Sequence, residues 1–320
     1  MTDLAMNQRA WTLADECVAR ADEWRIASHV LPGGARVIDA GINVIGGLAA
    51  GHSLVRMCMG GLGHISYGPV TIDSETWPGV HVWTDHPAES CMASQYAGWA
   101  INPDGYFAMG SGPLRAKARV ERELFEKLRY EENGPRGVLV LEAGKLPTDA
   151  VAAWLAAKSG LRADGLTLVV APTASLAGGV QIVARILETG MHKMDVTGFD
   201  VTRVMSAIGS APLAPIASSD MRAIGRTNDC ILYGGQACYT IRAADEELER
   251  LAQRLPSCAS PDYGTPFGEL FERYDRDFYK IDPMLFSPAE VWLTSATSGR
   301  TFRAGRKNLA VLRASLLEAS

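Results

Sequence analysis

Four short runs of β-branched and aliphatic residues constrain this chain more than anything else in it. They are ARVIDAG (35–41), VHVWTD (80–85), GVLVLEA (137–143) and LTLVVA (166–171). Each has the length of a strand, and stretches of helical rhythm lie between them. Helices are expected over 4–28, 87–98, 113–130 and 148–160, the last with Thr148 or Asp149 as its cap and Gly160 as its stop. Strands interleaved with helices give a mixed α/β (α+β) architecture and exclude an all-β fold. The last third adds an amphipathic helix over 245–255 and a section rich in proline and aromatic residues. A hairpin turning at Ser298-Gly299 and a closing helix follow. At 320 residues the chain is long enough for two lobes or one large domain, with boundaries expected near 140 or near 240.

Charge and composition remove several classes of function. A formal net charge of −5 without a basic cluster speaks against nucleic acid as a partner. No apolar run reaches the roughly 20 residues that cross a bilayer, so no membrane span is expected. The N-terminus bears acids in an amphipathic rhythm and does not resemble a secretory signal. Six cysteines, at 17, 58, 91, 230, 238 and 258, form no CxxC pair and fit buried thiols in a cytoplasmic protein. The six histidines make no HExxH and no metal-ligand spacing with cysteine. GxxxxGK[ST], GxGxxG and GxSxG are all missing. What remains is an enzyme without metal or cofactor, working by acid–base chemistry on a small molecule, or a protein whose partner is another subunit.

The stretch LTLVVAPTASLAGGVQIVARILETG (166–190) holds the most informative polar residues. It reads as a strand, a turn, and one helix from Ser175 to Glu188 stopped at Gly190. Val180, Val183, Ala184 and Leu187 supply an apolar surface, while Gln181, Arg185 and Glu188 line up as a narrow polar stripe. In this reading the pair has the cation before the anion, the less helpful order, and Glu188 lies in the last turn against the helix dipole. Helix stability accounts for Arg185 and leaves Glu188 unexplained. Two alternatives stand open here: a structural ion pair, or a desolvated carboxylate serving as a general base beside an arginine.

Three other stretches hold candidates for substrate contact. Asp85 and His86 sit where a strand hands over to a helix, a usual place for ligand contacts, although Asp85 there is equally a helix cap. In DGYFAMGSGPLRA (104–116), Tyr106 and Ser111 are candidates. The Gly110-Ser111-Gly112-Pro113 turn ahead of a helix can hold an anion or be merely tight. In GRTNDCILYGG (225–235), Arg226 and Asn228 belong to a polar start ahead of an apolar, strand-like end.

Taken together, these blocks resemble those of a known family. WTDHP (83–87), YFAMGSGP (106–113), APTAS (171–175) followed by VQIVARILETG, GRTNDCILYGG, DYGTPF (262–267) and DFYKIDP (277–283) are similar, in order, to the methenyltetrahydromethanopterin cyclohydrolases. Trp83 departs from the family, which usually has threonine there. The resemblance implies a subunit of two closely packed α/β lobes with a deep cleft between them, assembled as a homotrimer in the cytoplasm. It implies hydrolysis of the methenyl bridge of a tetrahydropterin one-carbon carrier to the 5-formyl derivative, reversibly, with no metal or nucleotide. The Arg and Glu of the family's ARxxE motif, to which it assigns central catalytic roles, fall on Arg185 and Glu188. Formaldehyde oxidation and methanogenesis are both open as pathways. A cyclohydrolase for another pterin or folate carrier, and a pterin-binding protein without turnover, are the rival readings.

Overall fold

A computed structural model describes residues 4–277 and 280–317, so Phe278 and Tyr279 of the DFYKIDP block lie outside the described residues. The chain divides into two compact units. One comprises Met1–His64 and Glu89–Gln181, the other Ile65–Ala88 and Ile182–Ser320. Positions 140 and 240, where boundaries were expected, fall within strands, one in each unit.

The first unit opens with α1 (Met6–Ala19) and α2 (Ala21–Trp24), then β1 (Ala27–Val30), β2 (Arg36–Asp39) and α3 (Leu48–Cys58). The expected opening helix therefore breaks at Arg20 and ends in a strand. After β3 (Gly63–Ile72) and β4 (Glu75–Thr84), which serve the second unit, come β5 (Trp99–Ile101), β6 (Ala108–Ser111), α4 (Leu114–Ala118) and α5 (Arg122–Leu128). Next are β7 (Gly137–Glu142), α6 (Asp149–Ser159) and β8 (Leu166–Ala171). The six-stranded sheet has the order β1-β2-β8-β7-β6-β5, with β2, β8 and β7 parallel and antiparallel pairs on both flanks.

Its central strands are continuous apolar runs because both faces are covered. Val138, Val140, Val169 and Ala171 face Leu13 and Ala14 of α1 and Leu54 and Met57 of α3. Leu139, Leu141, Leu168 and Val170 face Val151, Leu155 and Ala156 of α6. Thr148 caps α6, accepting the Val151 N–H at 3.4 Å, and Gly160 ends it with φ of 66°. Both were expected.

The expected 113–130 helix is two helices, α4 and α5, parted at Arg119, whose φ is 46°. The expected 87–98 helix is π-helical over Ala88–Gln95, with Tyr96 N–H donating to the Cys91 carbonyl five residues back. Arg115, fully buried, secures its end. One guanidinium nitrogen donates to the Met92 and Ser94 carbonyls, and the other meets Glu121 at 2.5 Å.

The second unit holds a sheet of order β12-β11-β10-β9-β4-β3, built from β3, β4, β9 (Val204–Pro212), β10 (Gln236–Ile241), β11 (Glu290–Ser295) and β12 (Thr301–Gly305). Its strands alternate. Val80, Val82, Ala207, Ala237, Tyr239, Ile241, Val291 and Leu293 are buried, whereas Trp83 and Ile208 face outward. Four helices of this unit are α8 (Ile186–Val196), α9 (Asp220–Gly234), α10 (Asp245–Arg254) and α11 (Phe267–Arg273); α12 (Leu309–Leu316) closes the described chain. Helix α8 packs on β4, β9 and β10. Lys193 near its end is 1% exposed and donates to the carbonyls of Pro256 and Met284. Burial lowers this ammonium to about 8.

Candidate active site

The turn after β8 begins as expected. Ser175 accepts the Gly178 N–H at 3.0 Å and so caps α7 (Leu176–Val183). Glycines make the close packing there feasible. A Cβ on Gly178 would lie 1.9 Å from the Pro172 carbonyl oxygen, and one on Gly51 would lie 2.7 Å from Val180.

The helix does not run on to Glu188. It stops at Val183, and a new helix, α8, starts at Ile186 with Arg185 as its N-cap. The hitch is a single tight turn: Arg185 N–H donates to Ile182 O at 3.0 Å, and Arg185 O accepts Thr189 N–H at 2.9 Å. Glu188 is thereby a first-turn residue of α8. The electrostatic objection to it reverses. A carboxylate at a helix N-terminus is favoured by about 0.3–1 kcal/mol, where in a last turn it would be opposed.

No proline breaks the chain between α7 and α8, and packing supplies the reason for the break. Ile186 and Leu187 are fully buried. Ile186 is seated over Gly235, where a Cβ would come within 2.3 Å of its Cδ1, and Leu187 over Gly209, where a Cβ would lie 2.9 Å from its Cδ2. Each such side chain contributes about 1.5–3 kcal/mol on burial, more than the 0.5–1 kcal/mol that a glycine in regular structure costs. Gly190 is not the helix stop that was expected. It lies inside α8, and a Cβ on it would come within 2.1 Å of the Tyr239 hydroxyl oxygen.

The polar stripe does not face water. Gln181, Arg185 and Glu188 are 2%, 7% and 5% exposed. Arg185 and Glu188 belong to the second unit. Gln181 is the last residue of the first, and its Oε1 takes a weak contact from Cys58 Sγ at 3.8 Å.

The remaining candidates fall into distinct settings. Asp85 and His86 are exposed at the end of β4, in the same unit as Arg185 and Glu188. The His86 N–H is taken at 3.0 Å by Thr84 Oγ1. Tyr106 and Ser111 lie in the first unit and are buried. Tyr106 donates to Lys145 O at 3.2 Å, and burial raises its phenol above the usual range. Ser111 donates to Gln95 O at 2.6 Å, and the Gly112 N–H goes to Ser94 O at 2.8 Å. That turn thus spends its donors on the π-helix, not on an anion.

Arg226 and Asn228 lie in helix α9, not in a polar loop leading to a strand. Arg226 donates to Ile216 O at 3.2 Å and to Ser315 O at 3.4 Å, while Asn228 donates to Ile224 O at 2.8 Å one turn back. Asp229, fully buried beside them, accepts the Phe267 N–H at 2.8 Å. Burial pushes Asp229 up to about 7, against hydrogen bonds from Ser315 and Phe267. Among the described residues, no group of three or more His, Cys, Asp or Glu is placed to hold a metal ion, and no helix is long and apolar enough to cross a membrane.

Sequence comparison bears on what this arrangement does. A family model described as Cyclohydrolase (MCH) matches residues 5–316. Proteins named methenyltetrahydromethanopterin cyclohydrolase are similar over almost their whole length. That of Methanocaldococcus jannaschii is 43% identical over 317 residues, 98% of each chain. That of Methanococcoides burtonii is 40% identical over 310 residues, 97% of each chain. That of Methylobacillus flagellatus is 44% identical over 309 residues, 96% of this chain and 94% of the relative.

Proposed function

The chain belongs to the methenyltetrahydromethanopterin cyclohydrolase family, and from that premise we propose that it hydrolyses the methenyl bridge of 5,10-methenyltetrahydromethanopterin to the 5-formyl derivative, reversibly, with Glu188 as general base and Arg185 as its partner. The observation that carries the assignment of roles is the burial of both side chains at one helix start, with Glu188 in the first turn of α8.

The chemistry asks little more of the protein. The bridge carbon lies between two nitrogens that share a positive charge, so it is already electrophilic. Water adds its oxygen to that carbon as Glu188 removes a proton. The neutral adduct then collapses: its hydroxyl proton leaves, a C=O bond forms and one C–N bond breaks. The departing nitrogen takes a proton, returned by Glu188, and one proton is released overall. A carboxylate in a desolvated setting also attracts the cationic substrate more strongly than it would in water. Arg185 orients that carboxylate through its planar fork and keeps it ionised. Side chains and water suffice for these steps, so the reading includes no metal and no cofactor.

The same reading places the protein in the cytoplasm, in one-carbon metabolism on the formaldehyde-oxidising or the methanogenic side, and as a homotrimer. A partly exposed row of residues across the second sheet supports self-association. Trp83, Ile208, Cys238, Trp292 and Arg303 stand in register on five adjoining strands, with Trp83 and Ile208 exposed by 38% and 54%. Loss of the methenyl absorbance on mixing the purified protein with the methanopterin carrier, and much slower loss with the folate carrier, is the expected result. Equal rates would assign a different carrier specificity. Binding without turnover would make this a carrier-sequestering protein.

A further inference from the structure

Resting on that role for Glu188, we propose that Tyr239 is a positioning residue for it, setting the place of the carboxylate without touching substrate. Tyr239 lies in the middle of β10, an interior strand of the second sheet, and is 1% exposed. Its hydroxyl donates to the Leu187 carbonyl at 2.9 Å. That carbonyl belongs to the peptide unit whose N–H is Glu188's own, so the phenol grips the plane from which the Glu188 Cα hangs.

Three glycines make this grip geometrically feasible. Gly190, one turn above, has no side chain, and a Cβ there would overlap the Tyr239 hydroxyl oxygen at 2.1 Å and Cζ at 2.9 Å. Gly235 and Gly209 receive Ile186 and Leu187, the two residues between Arg185 and Glu188. Apolar contacts are non-directional, so these sockets hold the turn down without fixing the orientation of its peptide units. A hydrogen bond is directional and sets the remaining coordinate. A buried tyrosine needs a partner for its hydroxyl in any case. Here that partner is the peptide unit that bears the proposed base, where a misplacement of about 1 Å costs on the order of 10²-fold in rate.

The test is a cycle of Tyr239→Phe and Glu188→Gln in the full-length enzyme, with the rate of methenyl loss as readout. Phe keeps the ring and removes only the hydroxyl. Y239F is expected to lower kcat about 10-fold, with KM within about twofold of native because substrate contacts are untouched. In the E188Q background the same change is expected to alter kcat by less than about twofold, since there is no base left to misplace. A native kcat in Y239F overturns the proposal, as does an equal loss with and without Glu188, which marks a general packing role. A native rate in E188Q overturns the underlying assignment instead, so the two failures are told apart.

Gly190→Ala provides a second route, pressing on the same hydroxyl from the helix side. Its loss of kcat is expected to be partly restored in the G190A/Y239F double variant, where the 2.1 Å overlap is gone and only the 2.9 Å approach to Cζ remains. No restoration counts against the proposal.

Discussion

Helices α8 and α9 both carry a buried carboxylate close in sequence to an arginine, and both lie in motif blocks that look functional. Their geometry separates them. On α9 the polar groups are turned inward on the fold: Asn228 and Thr227 bond to carbonyls one turn back, and Arg226 bonds to the carbonyls of Ile216 and Ser315. Asp229, in the middle of its own helix, spends its hydrogen bond on the first N–H of α11, and burial pushes it up to about 7. Glu188 instead stands in the first turn of its own helix, where the dipole favours its charge, three residues after the interruption at Arg185. Density of polar residues is thus a poor guide to chemistry. What separates the two carboxylates is that Glu188 belongs to the first turn of its own helix, whereas Asp229 is spent on the first N–H of a neighbouring one.

The comparison breaks first at Glu188. Glu188→Gln keeps the volume and the hydrogen-bonding shape, so it should fold like the native chain while turnover falls by on the order of 10²-fold or more. Near-native turnover with an unchanged circular dichroism spectrum would put α8 on the same footing as α9. Arg185→Lys should follow at about 10-fold, because lysine retains the charge and loses the planar fork. Full activity in that variant would reduce Arg185 to a point charge.

For α9 the expected effects are on stability. Arg226→Ala removes contacts to Ile216 and Ser315 and should cost about 1 kcal/mol in denaturant unfolding, with kcat within about twofold of native. A large loss of kcat without unfolding would return Arg226 to the active site.

Asp229 offers a test by pH. Its folded value near 7 lies above the value near 4 of an unfolded aspartate, so the unfolded chain releases this proton first. Stability from this group is therefore fully present below about pH 4, falls as pH rises toward 7, and stays flat above. Asp229→Asn should flatten the melting temperature between pH 5 and 7.5 relative to native. An unchanged slope would mean that Asp229 ionises as readily folded as unfolded. Asn228→Ala should do least, since its bond to Ile224 O is half-buried and local, costing about 0.5–1 kcal/mol.

Much of the fold was legible from local rules. The apolar runs of β7 and β8 have strand length and are bounded by turn residues. Thr148, Gly160 and Ser175 act as the caps their types suggest. The hairpin formed by β11 and β12 turns at Ser298-Gly299, with Gly299 at φ of 76°. GRTNDCILYGG has a polar start and an apolar, strand-like end, yet it is helix α9, because its neighbours α11 and α12 decide which side is buried. Strands β9 and β10 carry little local signal: their alternation mixes Gly, Ser, Cys and Gln with few large apolar residues.

Arg185 and Glu188 could be named from their motif, and their odd fit within an apolar helix was visible without coordinates. Their setting could not. A single continuous helix is what local propensity dictates for residues 175–188, and it places Glu188 at the unfavourable end. The actual helix ends at Val183 and restarts at Ile186 because Ile186 and Leu187 find seats over Gly235 and Gly209, some 20 to 50 residues away in sequence. Gly190 has the residue type of a helix stop and instead makes room for Tyr239. Local rules have no term for a missing side chain on a distant strand, and it is those gaps that moved the carboxylate from the end of one helix to the beginning of the next.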